Sequence, residues 1–225
     1  MGFASAGEGA HDGGAGRLPA HEMVYRQLRD QVLFGELEPG QPITIKGLTE
    51  ALGVGMTPVR EALRRLTAAG ALEFMGNRRI VVPVLDSAAV GELTVARKAL
   101  EPELARRAAL RVQPSDIARL TETDLRLDHA IGRGDVGRYL IENHRFHCEL
   151  NAIARSPILT ETVDRLWLRF GPSLRVVCGR IGTRNLPDRH KDILDALRAG
   201  NPSAAATAMA ADVEQGMAQI GDALR

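Results

Sequence analysis

The chain has 225 residues, with 29 Lys plus Arg against 28 Asp plus Glu, so its net charge of +1 excludes a wholesale polybasic or polyacidic protein, and any nucleic-acid surface must come from local charge. Apolar residues make up 44%, enough for a buried core, while aromatics at only 4% argue against large sheets and the abundance of Ala and Leu argues for helix. Cys148 and Cys178 have neither disulfide-framework nor zinc-finger spacing, and no apolar stretch is long enough to span a bilayer, which together suit a cytoplasmic, membrane-free protein.

Residues 1–18 are Gly/Ala-rich, with neither the basic start nor the apolar run of a signal peptide, and read as a disordered tail. A first helix is expected over 19–34, where Val24, Leu28 and Val32 form one apolar stripe, Pro19 suits a first turn and Gly35 a stop. Glu38-Pro39-Gly40-Gln41-Pro42 reads as a turn. A second helix follows over 45–52, Gly53 turns the chain, and a third runs from about Thr57 to Gly70 with Val59, Leu63 and Leu66 inward. Two short strands, 71–74 and 79–84, flank Gly76-Asn77-Arg78 as a hairpin or wing.

The composition changes over 83–87, which sets a domain boundary: 19–85 before it, 86–225 after. From there every segment has helical period, over 88–112, 114–133, 135–155, 157–181, 187–199 and 202–224. Ser115, Asp135, Ser156 and Asn201 are the expected caps, and Pro102 is expected to kink or split the first of these helices. The fold class is therefore mainly α: an N-terminal winged helix-turn-helix with a small β-hairpin wing, then an all-α helical bundle.

Two short helices around a glycine turn are how a helix-turn-helix sets a recognition helix in the major groove. Between Thr57 and Arg79 lie five arginines (Arg60, Arg64, Arg65, Arg78, Arg79) against two acids, Glu61 and Glu73. Arg60 and Arg64 are four apart and share a helix face with Thr57 one turn earlier, away from the apolar face. Guanidinium groups so placed can pair with guanine O6 and N7 or hold phosphate. Arg65 has a competing partner in Glu61, and Arg78 and Arg79 at the wing tip can reach the minor groove or backbone.

The string Gly35-Glu36-Leu37-Glu38-Pro39-Gly40, followed by Leu52-Gly53-Val54-x-x-Thr57-Pro58-Val59-Arg60-Glu61-Ala62-Leu63, resembles the winged-helix domain of GntR-family bacterial transcription regulators over about Ala20 to Val84. The resemblance implies that Thr57, Arg60 and Arg64 face DNA, assisted by the wing and by Lys46. One departure stands out: Gly55 and Met56 occupy positions where the family usually has Ser then Arg, so the helix cap is weaker and one basic contact is missing.

In the helical part, Asn143 and His147 lie four apart on one helix, His190 opens another and Asp212 sits on the last. Imidazoles and an oxygen donor on neighbouring helices can hold a metal, although a lone histidine on an amphipathic helix is more often a core or surface residue. Asn143-x-x-Phe146-His147, Ser156-Pro157-Ile158-Leu159 and His190-x-x-Ile193-Leu194-x-Ala196-Leu197 are similar to the FCD ligand-binding domain of the FadR-type GntR subfamily, with Arg97-x-x-Leu100-Glu101 fitting its opening. That resemblance implies a divalent metal held by one Asp and three His, and a small carboxylate effector held by the metal. Here Asn143 replaces the Asp and Asp212 the last His, leaving His147, His190, Asp212 and Asn143 to hold Zn²⁺ or Ni²⁺. Arg97 and Arg175 are candidates to clamp the carboxylate, with a salt bridge to an acid such as Glu101 the competing reading for each. Leu166, Trp167 and Leu168 are read as core with pocket lining open to them, and His144 and His129 as surface or interface residues.

These readings converge on a homodimeric regulator that reads two half-sites of a palindromic operator on double-stranded DNA and is released from it by a small carboxylate. The alternative is an architectural DNA-binding dimer without effector. No His-Glu-x-x-His motif, nucleophile elbow or phosphate loop supports an enzyme.

Overall fold

The computed structural model describes residues 19–76, 79–182 and 189–223. Helix α1 (Ala20–Leu33) buries Val24, Leu28 and Val32, the stripe expected from their spacing. Strand β1 (Pro42–Ile43) lies where the sequence suggested only a turn, because its pairing is with a distant segment. Helix α2 (Ile45–Leu52) is capped by Thr44, whose Oγ1 accepts from the Gly47 N–H at 3.0 Å. Gly53 then takes a left-handed φ of 63°, which lets α3 (Met56–Ala68) pack back on α1 with Val59, Ala62, Leu63 and Leu66 inward.

Strands β2 (Glu73–Met75) and β3 (Arg79–Val81) form the wing; β2 starts later than expected, since Ala71 and Leu72 drop into the core before it, and β3 ends at Val81 and not at 84. The three strands are antiparallel in the order β1-β3-β2, with Ile80 facing Ile43 on one side and Phe74 on the other.

Among the described residues six helices follow: α4 (Ser87–Ala109), α5 (Pro114–Arg133), α6 (Val136–Ile153), α7 (Pro157–Ile181), α8 (His190–Arg198) and α9 (Pro202–Ala223). Pro102 does not split α4, which is one element with α9 packed along it; that packing outweighs the missing backbone hydrogen bond. Asp135 and Asn201 cap α6 and α9 as expected, accepting from Arg138 N and Ala204 N. Ser156 is the residue before α7 but makes no capping bond. Ser115 is not a cap: α5 already starts at Pro114, with Gln113 before it and Asp116 Oδ2 accepting from the Gln113 N–H at 3.0 Å. The predicted tail at 1–18 and the start of α8 at 187 lie outside the described residues.

The winged part and the bundle meet along α1 and α7. Two glycines permit this approach: a Cβ on Gly171 would sit 2.4 Å from the Leu33 carbonyl oxygen, and one on Gly35, at φ 67°, would sit 2.4 Å from Arg175 Cβ. One apolar cluster runs through both parts, from Val24 to Ile220.

Candidate metal centre and nucleic-acid interface

Helices α6, α8 and α9 bring His147, His190 and Asp212 together, with one potential ligand atom from each within 4.8 Å of the others. Both imidazoles are buried, and each is backed by a buried carboxylate. His147 Nδ1 lies 3.5 Å from Glu101 Oε2 and its Nε2 lies 3.3 Å from Asp212 Oδ2. His190 Nδ1 lies 3.4 Å from Asp124 Oδ1, and its ring stacks on Phe146 at 3.9 Å. A carboxylate behind the Nδ1 of a histidine orients the ring and raises the basicity of Nε2, as is usual behind metal-bound histidines. Donors around a tetrahedral Zn²⁺ sit about 3.4 Å apart, so these three need draw in by little more than about 1 Å. The donor set therefore fits a divalent ion.

Burial pushes the His147 pKa down, but Asp212 and Glu101 outweigh it and raise the group to about 9, so without an ion the ring keeps a proton between the two carboxylates, which a metal has to displace. Burial likewise opposes ionisation of Asp212, yet the hydrogen bond from His147 holds it below the usual carboxylate range.

Asn143, one turn before His147, lines the same cavity as His147, Asp212, Arg97 and Trp167. The cavity is about 40 Å³ in volume, room for roughly three waters. Arg97 is buried and bonded to Glu101 through Nε at 2.5 Å and Nη2 at 3.2 Å, with its guanidinium 4.1 Å from the Phe170 ring centroid. It is both the salt bridge and a cavity wall. Arg175 is not brought to this cavity: its stem packs over Gly35 and its Nη1 lies beside Gly137. His144 is not at the surface. It is buried between Phe34 and Trp167, with Cys148 Sγ 3.3 Å from its Nε2, because α6 is covered on more than one face. His129 is exposed.

Sequence reasoning missed Asp124 and gave Glu101 only as a partner for Arg97. The four-residue spacing of Arg97 and Glu101 was a usable signal; nothing in the sequence links Asp124 to His190.

At the other end, Thr57, Arg60 and Arg64 are exposed on one side of α3, opposite its buried face. Gly55 precedes α3 without a side-chain cap. Arg64 is held by Glu61 in a two-pronged pair, Nε at 3.0 Å and Nη2 at 2.8 Å. Arg65 pairs instead with Glu22 of α1 at 2.8 Å and lies over the Tyr25 ring, so it fastens α3 to α1. Lys46 is exposed, 3.8 Å from Glu50. Arg79 is exposed at the start of β3, and Arg78 lies outside the described residues.

Residues 20–82 match the family model described as bacterial regulatory proteins of the gntR family, and residues 92–215 match the FCD domain. The chain belongs to the GntR family. This GntR-family protein is 30% identical over 198 residues to the HTH-type transcriptional regulator McbR of Escherichia coli K12, covering 87% of this chain and 90% of McbR. It is 28% identical over 148 residues to the HTH-type transcriptional repressor RspR of the same organism, covering 66% of this chain and 65% of RspR. The solved structure of E. coli McbR/YncC superimposes with a TM-score of 0.86 at 28% identity, covering 93% of this chain and 100% of that one. A GntR transcriptional regulator from Rhodococcus sp. RHA1 follows with a TM-score of 0.75 at 25% identity, covering 91% and 99%. With a GntR head and an FCD domain, this GntR-family protein is a ligand-responsive DNA-binding transcription regulator and not an enzyme. No helix among the described residues is long and apolar enough to cross a membrane.

Proposed function

We propose that this chain is a cytoplasmic, homodimeric repressor whose FCD domain holds a divalent metal, Zn²⁺ or Ni²⁺, and releases a palindromic operator when a small carboxylate binds. The observation that carries the proposal is the His147, His190 and Asp212 cluster with a buried carboxylate behind each imidazole. Those three residues, with the Asn143 amide oxygen as a fourth donor, hold the ion; bound there, it supplies a Lewis-acidic position for a carboxylate oxygen. Arg97 adds positive charge to the cavity wall, while Arg175 acts at the seam between head and bundle. The DNA head spans 19–85 and the sensor 86–225. Arg60 reads bases or phosphate with Thr57 and Arg64, supported by Lys46 and by Arg78 and Arg79 on the wing.

The effector must favour one arrangement of the two heads over another, because a ligand with equal affinity for both shifts nothing. Elemental analysis of untagged protein purified without added metal tests the sensor: a stoichiometric divalent ion is expected, lost in His147→Ala and His190→Ala. Protein that stays metal-free after exposure to Zn²⁺ and Ni²⁺ sinks that half of the proposal and leaves the cavity to hold its ligand through Arg97, or to hold none. For the head, Arg60→Ala should abolish binding to a specific operator while leaving the unfolding transition unchanged; wild-type affinity in that variant refutes the DNA-reading assignment.

A further inference from the structure

The cavity beside the His147 and Asp212 side chains is partly open. Arg97 and Trp167 in its inner wall are buried, whereas Asn143 of α6 and Asp212, Gln215, Gly216 and Gln219 of α9 are half-buried, so the way out runs along α9. Asp212, Gly216 and Ile220 follow one another at four-residue spacing, so they share one face of the helix, and all three line the cavity. A glycine lines a cavity with backbone alone, and a Cβ built on Gly216 meets nothing within 4 Å. A gap the width of one side chain therefore stands in the α9 wall, one turn and roughly 6 Å along the helix from Asp212. Unlike Gly171, which the Leu33 carbonyl requires, Gly216 is required by no packing contact, so a side chain there is sterically allowed and would stand in the gap. At the rim, Gln219 has no hydrogen-bond partner among the described residues.

We propose that Gly216 is a specificity-determining position: it opens a port through which the tail of a carboxylate held at the metal passes to solvent, so the site takes a carboxylate with an extended, hydroxylated, uncharged chain. The inference rests on the effector-site reading above and adds to it where the rest of the ligand goes. The enclosed volume of about 40 Å³ suits the carboxylate head, and the gap over Gly216 gives the chain its exit. Gln215 and Gln219, which flank the port, are polar and uncharged; their carboxamides can donate to and accept from a hydroxyl but cannot neutralise a second charge.

Isothermal titration calorimetry on the full-length Zn²⁺-loaded protein, with acetate and 6-hydroxyhexanoate as probes, tests the port. Both acids should bind the wild type. Gly216→Leu, which places a good helix former in open space, should leave the unfolding transition at or above that of wild type and Zn²⁺ affinity unchanged. It should keep acetate binding and weaken 6-hydroxyhexanoate by about tenfold or more. Gly216→Ala adds one carbon to the same gap and should shift the ratio of the two affinities in the same direction by less, so the test survives a leucine variant that fails to fold. A wild type that binds acetate but not 6-hydroxyhexanoate, or variants in which the two acids keep their wild-type ratio, overturns the port and leaves the effector site standing. A protein that takes up no Zn²⁺, or that binds neither acid once loaded, overturns both.

Discussion

Replacing Gly171 by Ala tests the seam between the bundle and the DNA head. Glycine within a helix is worse than alanine by about 0.5–1 kcal/mol, so Gly→Ala in α7 should stabilise if nothing else changes. At Gly179, in the same helix, nothing lies within 4 Å of an added Cβ. At Gly171 the added carbon falls 2.4 Å from Leu33 O, 3.2 Å from Leu33 C and 3.3 Å from Leu33 Cδ1. Backbone cannot rotate away as a long side chain can, so α1 and α7 must separate, an overpacking cost of about 1–3 kcal/mol. The helix-propensity gain is common to both variants, and their difference isolates that cost. Thermal unfolding followed by far-UV circular dichroism should place Gly179→Ala at or above wild type and Gly171→Ala below it, by about 2–4 °C for each kcal/mol in a chain of this size. A Gly171→Ala protein as stable as Gly179→Ala would refute the close approach of Leu33 to α7.

Glu101→Ala should destabilise by about 3–5 kcal/mol, because it strands the buried Arg97 guanidinium and frees His147 Nδ1; denaturant unfolding measures it. Asn143→Asp adds a charged donor to the cavity, so competition against a chelator should show tighter Zn²⁺ binding, by about tenfold; equal affinity would mean that position 143 does not face the ion. Desolvation lifts both Cys178, which is buried, and Cys148, which is half-buried, to a pKa of about 12, so neither is thiolate at pH 8 and both should label slowly with iodoacetamide until the chain is denatured. Fast labelling of Cys178 in the native protein would refute its burial.

Much of the architecture was readable because it depends on local spacing. Val24, Leu28 and Val32 announce α1, and the pair of helices around Gly53 follows from apolar period and one left-handed residue. The same logic placed the bundle helices and put Asn143 and His147 on one face. What stayed hidden depends on contacts distant in sequence. Strand β1 has only two residues and exists through its pairing with β3. Arg65 looks like a partner for Glu61 along the helix, yet finds Glu22 across α1. His144 lies about 100° around the helix from Asn143, a direction that means solvent only if α6 has one covered face; Phe34 and Trp167 cover another. The two carboxylates behind the histidines split along the same line: Glu101 had a neighbour four residues away to flag it, and Asp124 had none.

The pairing of Arg64 with Glu61, echoed more loosely by Lys46 with Glu50, bears on how the head meets the DNA polyanion. A cation that neutralises a phosphate displaces a condensed counterion, and each such event adds about 0.9 to the slope of log affinity against log salt. Arg64 arrives already paired with Glu61, so a phosphate has to compete with that carboxylate, and the net gain from indiscriminate backbone contact is reduced. Among the described residues, Arg60 and Arg79 have no such attached acid. This head should therefore cling weakly to arbitrary duplex and show a shallow salt dependence there, with the steep part reserved for the sequence that draws Arg64 away from Glu61.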